Sequence, residues 1–279
     1  MPLLSVAIIT LNEEENLGRT LASVAWADEI IVVDSGSTDR TVEIARSYGA
    51  QVIERCWPGF AAQKNFAIGQ CSGTWVLSLD ADEELSPELQ HQVRMLLPTN
   101  PPVDAYYLKR RNLFLGRWIK RGGFYPDRKL RLFRRTAASF EATPQFEDRP
   151  VHEVIQFEGA IDTLDYDLVH HAYPTLSHYI EHMDRYSNMG AEIATSRGRE
   201  LSKSYFRFFL GAFLVPHLKF LWTYFILLGF LDGREGLLLH LYHATYTSWK
   251  FTKTWERSRR IPSNPQRQAP NADVNAAAA

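Results

Sequence analysis

The feature that most constrains the fold is an alternation, over residues 3–110, of short apolar runs with stretches of helical spacing. The apolar runs are rich in valine, isoleucine and leucine and read LLSVAIITL, EIIVVDS, AQVIER and GTWVLSLD. Continuous apolar strands that alternate with helices are typical of a parallel sheet, because helices then cover both of its faces. The sequence therefore predicts an α/β fold with a Rossmann-like, mainly parallel sheet.

Polar residues follow several of these strands at the point where each strand ends. The polar residues in these positions are Asn12, Glu13, Asp34, Asp80 and Asp82. Ligands of open α/β sheets bind beyond the carboxyl ends of the strands. These side chains are therefore candidates for a binding site at one edge of the sheet.

The segment LSLDADEEL, residues 77–85, places four acids directly behind an apolar strand. Like charges at that density repel one another, and each is costly to desolvate. Mg²⁺ is usually bound by one or two carboxylates together with substrate phosphates, so Asp80-x-Asp82 is a candidate metal site. The alternative is a helix N-terminus capped by Ser86, where acids are favoured. That alternative accounts for the last two acids more easily than for all four.

The pattern changes after residue 104. The segments AYYLKRRNLFLGRWI, KLRLFRR and IDTLDYDLVHH have the composition of strands and predict a mixed or antiparallel region. Residues 109–135 hold eleven Lys/Arg and one acid, Asp127, an excess that favours contact with an anionic ligand. Helical spacing follows over residues 174–201.

Composition and charge narrow the class of protein. A chain of 279 residues, 45% of them hydrophobic, suffices for one core or for one core with an appendage. Its two cysteines favour a reducing compartment, and its first residues are typical of a strand and not of a secretory signal. Residues 197–260 carry eleven Lys/Arg against four Asp/Glu, whereas residues 1–196 carry nineteen against twenty-seven. The acidic part suits a metal, the basic part suits an anionic surface or substrate, and no nucleic-acid-binding motif accompanies the basic residues.

Four motifs, in this order and spacing, resemble the family-2 glycosyltransferases of the GT-A fold over residues 4–135: TLNEEENL, VVDSGSTDRT, QKNFAI and LSLDADEEL. The chain looks most similar to the branch that includes bacterial lipopolysaccharide core β-glucosyltransferases. That branch's pattern is also matched by LGRWIKRGGFYPDRKLRLFRR, RPVHE, HHAY and GFLDGREG. The motifs are specific for the fold and the reaction class, and much less specific for the acceptor.

The resemblance implies a site for a UDP-sugar and a divalent cation, Mg²⁺ or Mn²⁺, at the edge of the sheet. Asp80 would face the ribose and the cation, Asp82 would ligate the cation, and Asp34 would contact the uracil or the ribose. The other donor-site residues that the resemblance implies are Thr10, Asn12, Glu13, Lys64 and Asn65. A diphosphate leaving group gains charge as the glycosidic bond breaks, and a cation stabilises that charge.

Transfer also needs a general base that deprotonates the acceptor hydroxyl. The segment EDRPVHEVI offers Glu147, Asp148, His152 and Glu153. The resemblance favours Glu153, because the acid of the VHE motif falls where this branch carries its acceptor-side carboxylate. Asp148 is the second candidate and His152 an orienting neighbour. A surface salt bridge is the alternative role for any of them.

A histidine from the C-terminal side often completes the metal or diphosphate site of a GT-A enzyme. His170 aligns with the H-x-x-Y pattern of the branch, whereas His171 points to the opposite face if the strand alternates. A core histidine without a ligand is the alternative for either. In the basic segment, Arg128 and Arg131 are the candidates for contact with the donor diphosphate or with an anionic acceptor.

Residues 205–231 are strongly apolar and aromatic. A membrane-spanning helix needs about 20 predominantly apolar residues, but Pro216 and Lys219 interrupt this run. Aromatic and basic residues together favour helices that lie in the membrane interface and contact anionic lipid. The alternatives are a buried amphipathic hairpin, a dimer contact and a spanning helix.

The predicted organisation is a GT-A catalytic domain over residues 1–173, with a nucleotide-sugar half over 1–103 and an acceptor half over 104–173. Residues 174–260 would form a helical, membrane-interfacial region, and residues 261–279 a disordered tail. The predicted activity is inverting, metal-dependent transfer of a hexose, with glucose favoured, from a UDP-sugar to a lipid-linked glycan such as the lipopolysaccharide inner core. It would take place at the cytoplasmic face of the bacterial inner membrane.

Three other functions are alternatives. A polyprenyl-phosphate or capsule glycosyltransferase shares the fold, but that group often carries evident spanning helices. A sugar-phosphate nucleotidyltransferase also uses a Rossmann-like sheet and a divalent ion, but it usually opens with a glycine-rich basic loop where this chain has TLNEEENL. A non-enzymatic membrane-surface module would explain residues 205–260 and leave the strand-end acids unexplained.

Overall fold

A computed structural model of the protein describes residues 2–135, 145–148, 153–156, 159–196 and 205–259. The strands in these residues are β1 Leu4–Thr10, β2 Glu29–Asp34, β3 Gln51–Glu54, β4 Trp75–Asp80, β5 Glu83–Leu85, β6 Ala105–Phe114, β7 Arg117–Trp118, β8 Asp127–Arg134, β9 Gln145–Asp148, β10 Glu153–Gln156 and β11 Ile161–Tyr173. The helices are α1 Leu17–Val24, α2 Thr41–Ser47, α3 Phe60–Gln70, α4 Pro87–Leu96, α5 Leu176–Ser196, α6 Tyr205–Ile226 and α7 Gly233–Arg259.

Most strands join one sheet in the order β3-β2-β1-β4-β8-β6-β11-β5, and β7 pairs with β6. β1 is parallel to β2 and β4, and β2 is parallel to β3. β8 runs antiparallel between β4 and β6, while β11 is parallel to β6 and antiparallel to short β5. A separate antiparallel hairpin consists of β9 and β10. The predicted mixed, mainly parallel sheet of a GT-A fold is therefore confirmed.

Two apolar cores cover the two faces of the sheet. Leu17, Leu21 and Val24 of α1 lie one helical turn apart and are fully buried in the first core. Ala61 and Ile68 of α3 pack into the second core on the opposite face. Because the helices anchor both faces, the carboxyl ends of β1, β2 and β4 meet at a fixed edge.

A third apolar cluster joins the C-terminal helices to the acceptor half of the sheet. Phe114 and Ile119 pack against Tyr179 and Met183 of α5 and against Leu239 of α7. The predicted helical region is thus attached to the sheet through α5 and α7. Helix α6 packs against α7 and contains two π-helical parts, Leu210–Leu214 and Trp222–Ile226.

Helix α6 leaves large apolar side chains in solvent. Phe206 is 67% exposed, Trp222 57% and Ile226 61%. By length and composition, Tyr205–Ile226 is the one helix among the described residues that is apolar enough to cross a membrane. The alternative of a buried hairpin is wrong, because the helix does not turn these side chains into the protein. The interfacial, spanning and dimer-contact interpretations stay predictions.

Candidate active site

Asp80 ends β4 at the edge of the sheet and is paired with two cations. Its carboxylate lies 2.6 Å from Nζ of Lys64 and 2.5 Å from Nη2 of Arg131. Lys64 comes from α3 and Arg131 from β8, and both side chains are almost completely buried. Burial by itself raises the pKa of Asp80, but Arg131 and Lys64 outweigh it and hold that pKa far below the usual range. Asp80 is therefore a permanent anion.

Glu83 on β5 extends this pairing although it is fully buried. Its Oε1 accepts hydrogen bonds from Nη2 of Arg131 at 2.8 Å and from Nη1 of Arg110 at 3.2 Å. Arg110 in turn lies 2.7 Å from the carboxylate of Asp127. Removing one partner of a buried ion pair leaves an uncompensated charge, which is strongly destabilising. The alternating acids and cations therefore fix the geometry of the edge.

Asp82 faces His170 across the pairing of β5 with β11. Oδ2 of Asp82 is 3.1 Å from Nε2 of His170. On the other side of the ring, Nδ1 lies 2.7 Å from Oδ1 of Asn112, which is opposite His170 in the register of β6 and β11. Because an amide oxygen only accepts, Nδ1–H of His170 donates this hydrogen bond to Asn112. Nε2 is thereby the ring atom that is directed at Asp82.

The donor atoms of Asp82 and His170 fit a divalent cation. Burial by itself raises the pKa of Asp82, but an Nε2–H of His170 that donates to the carboxylate outweighs this effect and lowers it. A cation bound between the two side chains would take the place of that proton. A ligating histidine commonly donates its other ring N–H to an oxygen, as His170 does to Asn112. Among the described residues, no cluster of three ligating side chains is assembled. A Mg²⁺ or Mn²⁺ ion here would take its remaining ligands from water and substrate phosphates. Asp80, which is engaged by two cations, stays a prediction as a metal ligand.

His171 and Glu84 form a second pair on neighbouring residues of the same strands. Nε2 of His171 is 2.9 Å from Oε1 of Glu84, so consecutive histidines of β11 contact different acids, as the predicted strand alternation requires. Glu83 and Glu84 both lie on β5, before α4 begins. The interpretation that these two acids serve the helix N-terminus is therefore wrong. The predicted cap of α4, Ser86, is confirmed.

The loops after β1 and β2 hold each other in place. Asn12, which has a φ of 54°, accepts the N–H of Thr38 at 2.8 Å and donates its own N–H to Oγ of Ser37 at 2.8 Å. Asp34 is buried and accepts the backbone N–H groups of Gly36 and Ser37. This turn explains Asp34 without a ligand. Contact of Asn12 and Asp34 with a nucleoside stays a prediction.

Two further predicted residues lie at the same edge. Oγ1 of Thr10 is buried and, within the residues that the structure describes, has no hydrogen-bond partner. A buried hydroxyl without a partner at a strand end is suited to a ligand atom. Burial, together with the charges of Asp82 and Asp80, raises the pKa of Glu13 to about 7, although Asn16 donates a hydrogen bond to it. Glu13 therefore titrates near neutral pH.

Lys64 and Asn65 are adjacent on α3 and have different contacts. Nζ of Lys64 lies 5.0 Å from the centroid of the Phe146 ring. Asn65 donates to the backbone oxygen of Phe146 at 2.8 Å and accepts its N–H at 2.7 Å. Asn65 thereby fastens β9 to α3, a function that the sequence does not reveal. Its predicted contact with the base or the phosphates stays a prediction.

The candidate general bases lie on the β9–β10 hairpin. Glu153 is directly opposite Asp148 in the register of the two strands. The side chains of both residues, and His152 altogether, lie outside the described residues. Glu147 is exposed on β9. Because Asn65 holds β9 against α3, the hairpin lies next to the donor edge, and the choice of base stays a prediction.

Arg128 and Arg131 differ although both belong to β8. Arg128 is exposed, whereas Arg131 is 4% exposed and contacts two acids. Of the two, Arg128 is open to a ligand from solvent, and Arg131 holds the acids of the edge in place. The sequence did not identify Glu83, Arg110 and Asn112 as parts of the site. The sequence did contain one signal for these contacts: Asp127 is the single acid among the eleven basic residues of segment 109–135, and it pairs with Arg110.

The sequence is similar to those of known glycosyltransferases. The model of the glycosyl transferase family 2 matches residues 5–149. Over 91% of this chain and 92% of the other, the sequence is 30% identical to the lipopolysaccharide core biosynthesis glycosyltransferase LpsC of Rhizobium meliloti. It is 34% identical to an uncharacterised glycosyltransferase of Rickettsia prowazekii, over 72% of this chain and 71% of that protein.

A solved structure of S. aureus TarS in complex with UDP-GlcNAc is also similar. It is 19% identical and has a TM-score of 0.46, over 92% of this chain and 91% of that chain. The assignment depends on the sequence comparisons, which extend from the nucleotide half into the C-terminal helices. On the strength of the family match and of a relative that is aligned over nearly its whole length, this chain belongs to glycosyltransferase family 2.

Proposed function

We propose that this protein transfers a hexose, with inversion at the anomeric carbon, from a UDP-sugar to a lipid-linked glycan such as the lipopolysaccharide inner core. The observation that carries the proposal is the approach of Asp82 to His170, 3.1 Å between Oδ2 and Nε2, at the edge where Asp80 is already neutralised by two cations. The relative named for lipopolysaccharide core biosynthesis supports the acceptor class. Glucose is the proposed sugar.

The donor would bind at the carboxyl ends of β1, β2 and β4. Asp82 and His170 would hold Mg²⁺ or Mn²⁺, which, when bound, stabilises the charge that develops on the leaving diphosphate. Lys64 and Arg131 both pair with the carboxylate of Asp80 and hold it at the end of β4. The hydroxyl of Thr10, which has no hydrogen-bond partner among the described residues, supports binding of the nucleoside at the end of β1. These residues bind and orient the donor.

The acceptor hydroxyl would attack the anomeric carbon from the side opposite the leaving UDP. We assign its deprotonation to Glu153, with Asp148 as the second candidate, because both lie on the hairpin that Asn65 fastens beside the donor edge. Attack opposite the nucleotide converts an α-linked donor into a β-linked product. No covalent glycosyl-enzyme intermediate is needed, so no protein nucleophile is assigned.

The acceptor half and the apolar helix would work at a membrane. Helix α6 exposes aromatic and aliphatic side chains, and the segment 197–260 has seven more basic than acidic residues. Both features favour a helix in the interface of an anionic membrane. We place the protein as a peripheral protein at the cytoplasmic face of the inner membrane, where a lipid-linked glycan meets soluble UDP-sugar.

The proposal is tested by transfer from a panel of radiolabelled UDP-hexoses to lipopolysaccharide core, with Mn²⁺, Mg²⁺ or excess chelator. We expect label in the core, in β-linkage, and only when a divalent cation is present. Transfer to polyprenyl phosphate or to a capsule glycan, and not to the core, would identify the protein as a polyprenyl-phosphate or capsule glycosyltransferase. Release of pyrophosphate from a nucleoside triphosphate and a sugar phosphate would identify a nucleotidyltransferase.

The general base has its own test. For Glu153→Gln we expect near-normal binding of UDP and transfer that is slower by about 10²–10⁴-fold, the usual contribution of a general base. Asp148→Asn is the matched control, because it removes one carboxylate from the opposite strand of the same hairpin. If Asp148→Asn shows the large loss and Glu153→Gln does not, the base is Asp148.

A further inference from the structure

A basic cavity lies between the β7–β8 loop and the turn that connects α6 to α7. Its volume is about 420 Å³, and it is lined by Arg117, Trp118, Lys120, Arg121, Leu231 and Asp232. The motif GFLDGREG supplies one wall, and LGRWIKRGG supplies the other. None of the donor-site residues lines this cavity.

The backbone of the loop is held by hydrogen bonds to the turn between α6 and α7. Oδ2 of Asp232 accepts the N–H groups of Lys120 at 3.1 Å and of Arg121 at 2.8 Å. The N–H of Gly122 donates to the backbone oxygen of Leu227 at 2.9 Å. Asp232 is 4% exposed, so its charge is directed at backbone amides and not into solvent. The loop therefore presents its side chains from a rigid position.

The side chains around the cavity carry excess positive charge. Arg117 is 3.5 Å from Glu235. Nζ of Lys120 lies over the Trp118 ring, 4.3 Å from its centroid. Within the described part of the chain, neither Lys120 nor Arg121 is paired with an acid, and both are exposed. Two cations thus remain available to an anionic ligand from outside the protein.

The cavity opens beside the apolar surface of the C-terminal helices. Leu231, which lines it, is 52% exposed, and the neighbouring Phe230 is 43% exposed. On α6, Phe225 and Ile226 are 51% and 61% exposed. Apolar side chains next to exposed cations complement a lipid, whose chains are apolar and whose headgroup carries a phosphate.

We infer that this cavity binds the phosphate of an anionic bilayer lipid whose chains lie against the exposed side chains of α6 and the turn after it. The inference rests on the membrane attachment in the proposed function and adds a specific headgroup site to it. Lys120 and Arg121 contact the phosphate, and Asp232 acts as a positioning residue through their backbone amides. The site orients the loop that leads into β8 and Asp127, and hence the acceptor half, toward the membrane.

The test measures sedimentation of the full-length protein with vesicles of phosphatidylcholine, alone or mixed with phosphatidylglycerol. For Lys120→Gln/Arg121→Gln we expect binding to mixed vesicles to weaken about thirty-fold, since each basic residue near an anionic surface contributes about a factor of five. Binding to pure phosphatidylcholine stays unchanged, because the apolar side chains are intact. The control Arg19→Gln/Arg46→Gln removes the same charge from exposed positions on α1 and α2 and keeps wild-type binding to both.

Equal losses in the two double variants would overturn the inference, because long-range attraction would then explain the effect without a site. Loss of binding to pure phosphatidylcholine in Lys120→Gln/Arg121→Gln would also overturn it, since the substitutions would have displaced the apolar surface. A third contrary result would combine two findings: inorganic phosphate stabilises the wild type but not Lys120→Gln/Arg121→Gln, and the two proteins bind vesicles equally well. The cavity would then hold a soluble phosphate group. If the wild type binds neither vesicle, membrane attachment itself fails, a result distinct from these.

Discussion

The donor edge of the sheet compensates its buried charges with ion pairs, whereas helix α6 leaves large apolar side chains exposed to solvent. At the edge, Asp80, Glu83 and Asp127 are each paired with a cation from another element. On α6, Trp222 and Ile226 are more than half exposed and pack against little of the protein. The buried charges of the first region are compensated by other residues of the protein, whereas the described residues leave the apolar side chains of the second exposed.

The difference shows which interactions are structural and which await a ligand. A buried charge must be compensated by the protein itself, because an uncompensated one costs several kcal/mol, commonly about 3–5. Exposed apolar surface costs the folded chain little, because it is also exposed on unfolding, and large patches mark sites of interaction. Substitution in the buried ion pairs of the donor edge should therefore lower stability, and substitution of the exposed residues of α6 should weaken binding.

The largest effect on stability is expected for Arg131→Met, which leaves Asp80 and Glu83 without their shared cation. We expect the free energy of unfolding, from urea denaturation, to fall by about 3–5 kcal/mol. Arg128→Met on the same strand is the control, because Arg128 is exposed, and should change stability by less than about 0.5 kcal/mol. Equal effects of the two substitutions would show that the edge is not held by buried ion pairs.

A loss of membrane binding without a loss of stability is expected when four exposed residues are replaced together by serine: Phe213, Trp222, Phe225 and Leu231. All four are exposed by 50% or more, and each loses roughly 1 kcal/mol of lipid contact, so binding to vesicles should weaken by about 10³-fold. The melting temperature should stay the same or rise. If the fourfold variant unfolds, or if it still binds vesicles in high salt, α6 and the turn after it are not a membrane-docking surface.

The smallest effect concerns Glu13, whose pKa is raised to about 7 by burial and by Asp82, Asp39 and Asp80. The folded protein holds this proton more tightly than the unfolded chain does, so the stabilisation is present below pH about 4.5 and is lost as pH rises through 7. The variant Glu13→Gln cannot ionise. Without divalent cations, its melting temperature should be about 2–4 °C higher than that of wild type at pH 8 and the same as that of wild type at pH 4.5. If the two melting temperatures differed by the same amount at pH 8 and at pH 4.5, ionisation of Glu13 would not be the cause.

Local patterns in the sequence predicted the elements that depend on local contacts. The four N-terminal strands lie where the apolar runs indicate, and helices lie between them as the alternation predicts, for example Phe60–Gln70 between β3 and β4. The acids at the strand ends and His170 were identified from motifs. These features are predictable because apolar period and strand-end polarity are properties of neighbouring residues.

Partners from distant parts of the chain were not predictable. β5 has three residues, EEL, and no apolar period, and it exists because β11 pairs with it. Asn65 contacts Phe146, which is 81 residues away, and Asn112 fixes His170 from 58 residues away. Such contacts depend on the register of the folded sheet. The hydrogen bonds of Asp34 to the turn that follows it are local, but the sequence alone does not distinguish a carboxylate that holds a turn from one that binds a ligand.

Calorimetric titration of UDP tests most directly whether Asp82 and His170 place a divalent cation where UDP binds. With Mn²⁺ we predict that wild type binds UDP at least about 10²-fold more tightly than in excess chelator, since the diphosphate completes the coordination of the cation. Asp82→Asn keeps the shape of the side chain and should bind UDP weakly and equally under both conditions. UDP binding by wild type that is unaffected by chelator, or Mn²⁺-dependent binding that survives in Asp82→Asn, would contradict the account.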